Sequence, residues 1–360
     1  METNEDKVIV LNGSTLTQEH ILKIVSDKTV TVAIHEKAIH AINESRAFLE
    51  KHAEEQIIYG VNTGFGPMAS HIISRTQLLE LQRNLVRSHA VGMGEPIKPE
   101  YVLASMVVRL NTVIKGYSGI SLELAKRLET FINRRIIPVV PTHGAVGTSG
   151  DLVQLAHIAL ALIGEGEVFV GGKRQQTEKV LKTLHIPSYT LKPKEGLSLI
   201  NGTAVMTGIS ALLSVEAEDL LRLAVMTGAL SLECINGFDD SISKKINAVR
   251  PHEGQKAVAE ELRHILSSSK LLQSRPVFNK NHHVTDDTRE IPENVQDVYS
   301  IRCIPQILGP IRETLERAKK VIGIELNSVT DNPIVDYENK RFLHGGNFHG
   351  EAIATVIDQL

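Results

Sequence analysis

The sequence predicts a mainly α-helical protein. Apolar residues recur at three- and four-residue spacing along most of the chain, and segments that alternate like strands are few and short. The run 203–235 is apolar on more than one face, the pattern of a buried bundle helix or of one shared between subunits. The expected organisation is a small mixed α/β region over residues 1–200, followed by a long-helix bundle over 201–360.

In chain order, Val8–Leu11 is the first strand candidate, and Ile57-Ile58-Tyr59 reads as a second, ending in a tyrosine. Helical spacing then covers about 75–90, 99–114, 119–134 and 151–164, the last with an apolar face of Leu152, Leu155, Ala156, Ala159, Leu160 and Ile163. Glu167–Val170 is a strand candidate before the Gly171-Gly172 turn. Helical spacing resumes at 203–235 and at 309–328. The polar stretch 267–294 reads as an exposed excursion between helices. Its His282-His283 pair reads as solvated and not as a metal site, because no further ligands stand at fixed spacing.

Composition excludes several classes. The formal net charge is -3 and basic residues are scattered, so Lys244-Lys245 and Arg134-Arg135 read as solvated faces and no nucleic-acid partner is expected. Cys234 and Cys303 cannot build a framework of bridges, and reduced thiols are the inference. The acidic start, Met1 to Asp6, is not a secretory signal. The longest apolar stretches are interrupted, by Glu216, Glu218 and Asp219 or by Gln154 and His157, so no membrane span is expected. A soluble, cytoplasmic protein follows as the expectation.

The segment with chemical content is Gly147-Thr148-Ser149-Gly150-Asp151. If the Gly150 nitrogen attacks the Thr148 carbonyl carbon, a five-membered ring closes. Loss of one water leaves an imidazolone, and loss of a second from Ser149 turns its Cβ into an exocyclic methylene. Gly150 has no Cβ to obstruct a backbone nitrogen folding back, Ser149 supplies a hydroxyl to eliminate, and the Thr148 side chain stays outside the ring. The product is an electrophile, which no standard side chain provides and which is normally borrowed from a cofactor. Taken alone, the tripeptide reads as an ordinary helix N-terminus capped by Asp151.

Its company changes that reading. The segment from His143 to Leu152 resembles the signature of the histidine and aromatic amino acid ammonia-lyases, which use such a ring, called methylidene-imidazolone. Five further ordered blocks resemble the same family: Tyr59-Gly60-Val61-Asn62-Thr63-Gly64-Phe65-Gly66, Asn84-Leu85-Val86-Arg87-Ser88-His89, Glu195 through Thr203, Gln296 through Cys303, and Asp331-Asn332-Pro333 with Gly345 through Gly350. The resemblance implies an ammonia-lyase-like fold, a cofactor made from Thr148, Ser149 and Gly150, and no metal or external cofactor. It implies a small aromatic amino acid as substrate and a homotetramer, with active sites assembled from three subunits.

The resemblance also implies roles. Tyr59 corresponds to the base that removes a weakly acidic β-proton. Arg302 corresponds to the group that grips the substrate carboxylate, a task suited to a planar guanidinium. Asn201 corresponds to a hydrogen-bonding residue beside the ring. Tyr299 and Gln296 stand near the ring and the substrate amine, Phe348 shields the ring, and Ser88-His89 faces the substrate ring. A helix N-terminus near Asp151 would favour electron density moving onto the ring carbonyl oxygen.

Departures from the pattern count equally, and the largest is length. Thr148 stands where most relatives have alanine, and Val298 and Gln154 stand where histidine-lyases usually have proline. The sequence stops at Leu360 inside a helical pattern with no C-cap glycine, whereas family members continue through further long helices that complete the bundle. That leaves a truncated, inactive scaffold as one alternative; an aminomutase, which the resemblance implies would share the ring, is another. Ser88-His89 suits either a phenol or an imidazole. The blocks Gly66-Pro67-Met68-Ala69, Asp151 through Leu155 and Phe348-His349-Gly350 favour tyrosine slightly over histidine, the alternative being a urocanate-forming histidine ammonia-lyase. Two unrelated readings fail on context. Gly64-x-Gly66-x-x-Ala69 mimics a dinucleotide loop, but Pro67 removes a donor and no acidic strand end follows. Gly147 through Gly150 is no serine-hydrolase elbow, because the second glycine comes one position too soon.

Overall fold

The computed structural model describes residues 7–53, 55–284 and 286–360; the acidic start, Met1 to Asp6, lies outside them. Helices dominate, as expected. By compactness the chain divides into two units: the described residues of Met1–Leu212 with Val321–Thr355, and those of Leu213–Lys320 with Val356–Leu360. Among the described residues no helix is long and apolar enough to cross a membrane.

The larger unit opens with β1 (Val8–Leu11), α1 (Gln18–Ser26), β2 (Thr31–Ile34) and α2 (Glu36–His52). β1 and β2 pair in parallel, Val8 opposite Thr31, with α1 as the crossover. The Thr17 hydroxyl accepts from the His20 nitrogen to start α1. Next come α3 (Leu78–His89), β3 (Met93–Pro96), α4 (Pro99–Val113), α5 (Leu122–Asn133), β4 (Ile137–Pro138) and β5 (Pro141–His143). α4 is buried without a break from Val102 to Val113, which carries Arg109 and Asn111 into the core with it.

Then follow α6 (Leu152–Leu162), β6 (Glu167–Val170), β7 (Lys173–Gln176), α7 (Thr177–Thr183), α8 (Glu195–Ile200) and the start of α9 (Ala204–Cys234). β6 and β7 form an antiparallel hairpin. Its loop, Gly171-Gly172, has φ of 58° and 77°, values that glycine adopts without strain.

The smaller unit holds the rest of α9, then α10 (Lys244–Ala248), α11 (Glu253–Ile265), α12 (Arg275–Asn281), α13 (Tyr299–Arg302) and most of α14 (Ile304–Glu325). Its core joins Val225, Ala229 and Leu232 of α9 to Val258 and Leu262 of α11 and Ile304 of α14. The chain closes with β8 (Ile334–Asp336), β9 (Arg341–Leu343) and α15 (Glu351–Asp358).

Three local expectations are corrected. Ile57-Ile58-Tyr59 forms no strand. Ile58 is buried with Leu49 and Val61, and its nitrogen donates to Asn62 Oδ1 at 2.7 Å, so a side chain supplies what a neighbouring strand would have. The stretch 267–294 contains α12, because Pro276 suits a first helical turn and Phe278 is buried against Phe238. The helix expected over 309–328 starts earlier, at Ile304, and runs through Pro310 to Glu325.

Candidate active site

The backbone puts Thr148 and Ser149 at the corners of a tight turn, with Gly147 and Gly150 bridged across its base. Ser149 has φ +63°, Gly147 +76° and Gly150 +70°. A non-glycine residue held in the left-handed region costs about 1–3 kcal/mol and persists only where its surroundings over-determine it.

Those surroundings are Asn201-Gly202. The Gly202 nitrogen donates to the Ser149 carbonyl at 3.3 Å, and the Asp151 nitrogen donates to the Gly202 carbonyl at 2.8 Å. A Cβ on Gly150 would stand 2.2 Å from the Gly202 oxygen and 2.8 Å from the Phe348 oxygen. Only glycine fits there, so the position whose nitrogen must fold back is also the one stripped of a side chain by its packing. The residues present therefore fit the ring that the sequence implies.

α6 begins at Leu152, α9 at Ala204 and α15 at Glu351, each within three residues of a backbone group packed on Gly150. The partial positive charge at these helix N-termini favours negative charge at this point. Asp151 does not cap α6 with its side chain. Its Oδ2 instead accepts from the Val205 and Met206 nitrogens at 2.7 and 3.0 Å, capping α9. Burial pushes its carboxyl up to about 7, against the opposing pull of those two bonds and of Arg109.

Beneath Asn201 lies a buried polar network. Asn201 Nδ2 donates to Asp331 Oδ1 and to the Asn332 carbonyl, both at 3.3 Å. Asp331 Oδ2 is 2.8 Å from Lys194 Nζ, and neither side chain has any exposure. Lys194 Nζ also donates to Ser198 Oγ at 2.9 Å, and that hydroxyl donates to the Ser118 carbonyl. Arg109, fully buried, donates through Nη2 to the Ser198 carbonyl, and burial lowers its guanidinium to about 10. Its Nη1 lies where a Cβ on Gly202 would stand 2.6 Å away. Sequence reasoning gave no role to Lys194, Asp331 or Arg109; the available signal was Arg109, a lone charge in the run 102–113.

Tyr59 lies in a turn, its hydroxyl accepting from the Gly66 nitrogen at 3.2 Å and its ring edge-on to Phe65. Gln82, also unremarked in the sequence, ties this turn to α8. Its Nε2 donates to the Gly60 carbonyl at 3.1 Å, and its Oε1 accepts from the Gly196 nitrogen at 2.9 Å. Gln82 belongs to α3, whose last residues are Ser88 and His89 and which packs on α6 and α8. His89 Nδ1 lies 2.9 Å from the Leu85 carbonyl. The chain just beyond it is held to α6 by the Gly92 nitrogen donating to His157 Nε2 at 3.1 Å. The larger unit thus fixes Tyr59, Ser88, His89, Thr148, Ser149, Gly150, Asn201 and Phe348 on one scaffold of α3, α6, α8 and the start of α9.

The smaller unit carries Gln296, Tyr299 and Arg302. The Arg302 guanidinium lies 4.4 Å from the Tyr299 ring centroid, a cation–π distance. Its Nε is buried without a partner. Arg302 and Gln296 line a cavity of about 370 Å³ together with Asp240, Asp297, Cys303 and Gln306. Cys234 and Cys303 are free thiols, and among the described residues no group of three or more His, Cys, Asp or Glu is arranged to hold a metal.

Comparison with known proteins identifies the family. The aromatic amino acid lyase family matches residues 16–360. A histidine ammonia-lyase of Caldanaerobacter subterraneus is 37% identical over 355 residues, covering 98% of this chain and 67% of the relative. The crystal structure of a tyrosine aminomutase from Streptomyces globisporus superposes with a TM-score of 0.91 at 35% identity, over 97% of this chain and 67% of that one. A histidine ammonia-lyase from Trypanosoma cruzi superposes with a TM-score of 0.86 at 36% identity, over 98% and 64%. Ammonia-lyases are carbon–nitrogen lyases, and the fold is theirs. On the match over 16–360 and on these relatives, the chain belongs to the aromatic amino acid lyase family.

Proposed function

We propose that this chain carries an ammonia-lyase site that removes ammonia from L-histidine to leave the trans-unsaturated acid. The observation that carries the reading is the Thr148–Gly150 turn, strained at Ser149 and closed to any Cβ at Gly150. The slight preference for tyrosine drawn from the sequence blocks is set aside, because the sequence relatives are named histidine ammonia-lyases. His89 at the end of α3 accommodates an imidazole as readily as a phenol.

When formed, the methylidene-imidazolone supplies an electrophilic carbon for the substrate amine. The chain's own residues do the rest. Tyr59 takes the β-proton. Arg302 holds the carboxylate through its guanidinium fork, with Gln296 and Tyr299 beside it. Asn201 orients the reacting end by hydrogen bonding, Ser88 and His89 meet the substrate ring, and Phe348 excludes water. Assembly as a homotetramer is supported by α9, which leaves Leu220, Leu223, Met226 and Leu230 well exposed at helical spacing.

A second reading, an aminomutase, is favoured by the superposition on the tyrosine aminomutase. Intact mass is the first test. The reading expects a mass short by two waters, and no such deficit in Ser149→Ala; an unmodified wild-type mass would remove the electrophile and the reading with it. Incubation with L-histidine and L-tyrosine then separates the substrates, and a β-amino acid product identifies an aminomutase.

A further inference from the structure

Lys194 combines three unusual features. It is a lysine with no side-chain exposure, its backbone is left-handed at φ +75°, and its sole carboxylate contact among the described residues is Asp331, equally buried. An unpaired buried charge is so costly that such pairs are kept only where something depends on them or where both partners are well satisfied. Left-handed backbone at a non-glycine residue marks a place worth a functional hypothesis.

The pair leads to Asn201 and stops there. Asp331 Oδ1 and the Asn332 carbonyl are both acceptors, and both face the Asn201 carboxamide at 3.3 Å. A flipped carboxamide would set its oxygen against two oxygens, so only one orientation is satisfied. Asn201 is the C-cap of α8, and the next residue is Gly202, whose nitrogen and carbonyl hold Ser149 and Asp151. The chain of contacts therefore runs Lys194, Asp331, Asn201, Gly202, Ser149.

We propose that Asp331 is a positioning residue, with Lys194 as the partner that offsets its buried charge: the Asp331 oxygen locks the Asn201 carboxamide and so holds the Asn201-Gly202 backbone against Ser149-Gly150 in the turn from which the ring closes. The consequence for ring closure rests on the lyase reading above; the locking of Asn201 does not.

The test uses two double variants that both dispense with the charges. Lys194→Met with Asp331→Asn keeps a carbonyl oxygen for Asn201 Nδ2, whereas Lys194→Met with Asp331→Leu, or with Asp331→Ala should leucine fail to fold, removes it. Two quantities are read on folded protein of matched unfolding temperature: the fraction dehydrated by intact mass, and hydrogen exchange of the Asn201 side-chain amide by NMR. The Asn form is expected to dehydrate like the wild type and to keep its amide protected. The apolar form is expected to dehydrate at least tenfold more slowly and to lose protection by a similar factor. Equal dehydration in both double variants overturns the link to ring closure, and an Asn201 amide that exchanges equally fast in all three proteins overturns the locking itself. A wild-type chain that never loses the waters ends the lyase reading, and the exchange measurement still decides whether the oxygen of residue 331 positions Asn201.

Discussion

The Asp151 carboxylate accepts a hydrogen bond from the Val205 nitrogen at 2.7 Å, so the residue that follows the Thr148–Gly150 turn caps α9 instead of the helix it precedes. This one contact fastens the turn to the N-terminus of the longest helix. It also buries a carboxyl, whose pKa rises to about 7 through desolvation.

The sign of the resulting pH dependence follows from linkage. Between the ordinary carboxyl value near 3.8 and about 7, the folded chain holds this proton and the unfolded chain does not, so Asp151 contributes less stability as pH rises through that window. Both backbone bonds fall on Oδ2, and the oxygen of an Asn can accept them. Asp151→Asn is therefore expected to gain on the wild type by on the order of 2–4 kcal/mol between pH 4 and pH 7. Urea unfolding of both proteins at pH 5 and pH 8 checks it; a difference that stays constant with pH refutes it.

The two glycines flanking the turn should respond differently to alanine. Gly147 has φ +76° but nothing within 4 Å of an added Cβ, so Gly147→Ala bears only the backbone cost, about 1–2 kcal/mol. Gly150→Ala adds a Cβ 2.2 Å from the Gly202 oxygen, where two backbone segments would have to part. A loss of more than about 3 kcal/mol is expected, read from urea midpoints, together with loss of the two-water mass deficit. A Gly150→Ala protein as stable as Gly147→Ala would mean the turn is loosely held.

Much of this was legible in the sequence for a physical reason. Long helices announce themselves by period, and α3 to α6 and α9 follow their apolar spacing closely. The turn stands out because its residue types suit ring closure and because its company resembles a known family, and not by the tripeptide alone. What stayed hidden was long-range polar pairing. Nothing local to Lys194 points to Asp331, 137 residues away, and Gln82 reads as a surface helix residue until its two backbone partners are seen. Tyr59 reads as a strand end but lies in a turn, because Asn62 satisfies the Ile58 nitrogen, a substitution that periodicity does not register.

Asn327 illustrates the same kind of pairing and gives a further prediction. Its Oδ1 accepts from the Leu16 nitrogen at 2.9 Å, and its Nδ2 donates to the Leu16 carbonyl at 2.8 Å, closing the chain across 311 positions. Leu16 is itself buried. Asn327→Leu leaves that N–H and C=O without partners and is expected to cost about 2–4 kcal/mol. Asn327→Asp keeps the acceptor for the Leu16 nitrogen but turns an oxygen on the Leu16 and Gly323 carbonyls, so it should cost at least as much. A loss under about 1 kcal/mol for Asn327→Leu in denaturant titrations would show that the pairing with Leu16 adds nothing.

Removing one member of the Lys194–Asp331 pair should cost more than removing both. With Lys194→Met alone, Asp331 loses its cationic partner at a site with no exposure, and the donors left to it among the described residues are Asn201 Nδ2 and the Asn332 nitrogen. A stranded buried charge of this kind costs about 3–5 kcal/mol. Adding Asp331→Asn removes the stranded charge while preserving an oxygen for Asn201, and Ser198 Oγ keeps its bond to the Ser118 carbonyl throughout. The double variant is therefore expected to recover at least half of the loss, a non-additivity that a double-mutant cycle measures directly. Additive losses would mean that the two side chains, though 2.8 Å apart, are energetically independent, and the buried pair would then have to owe its place to each partner's separate contacts.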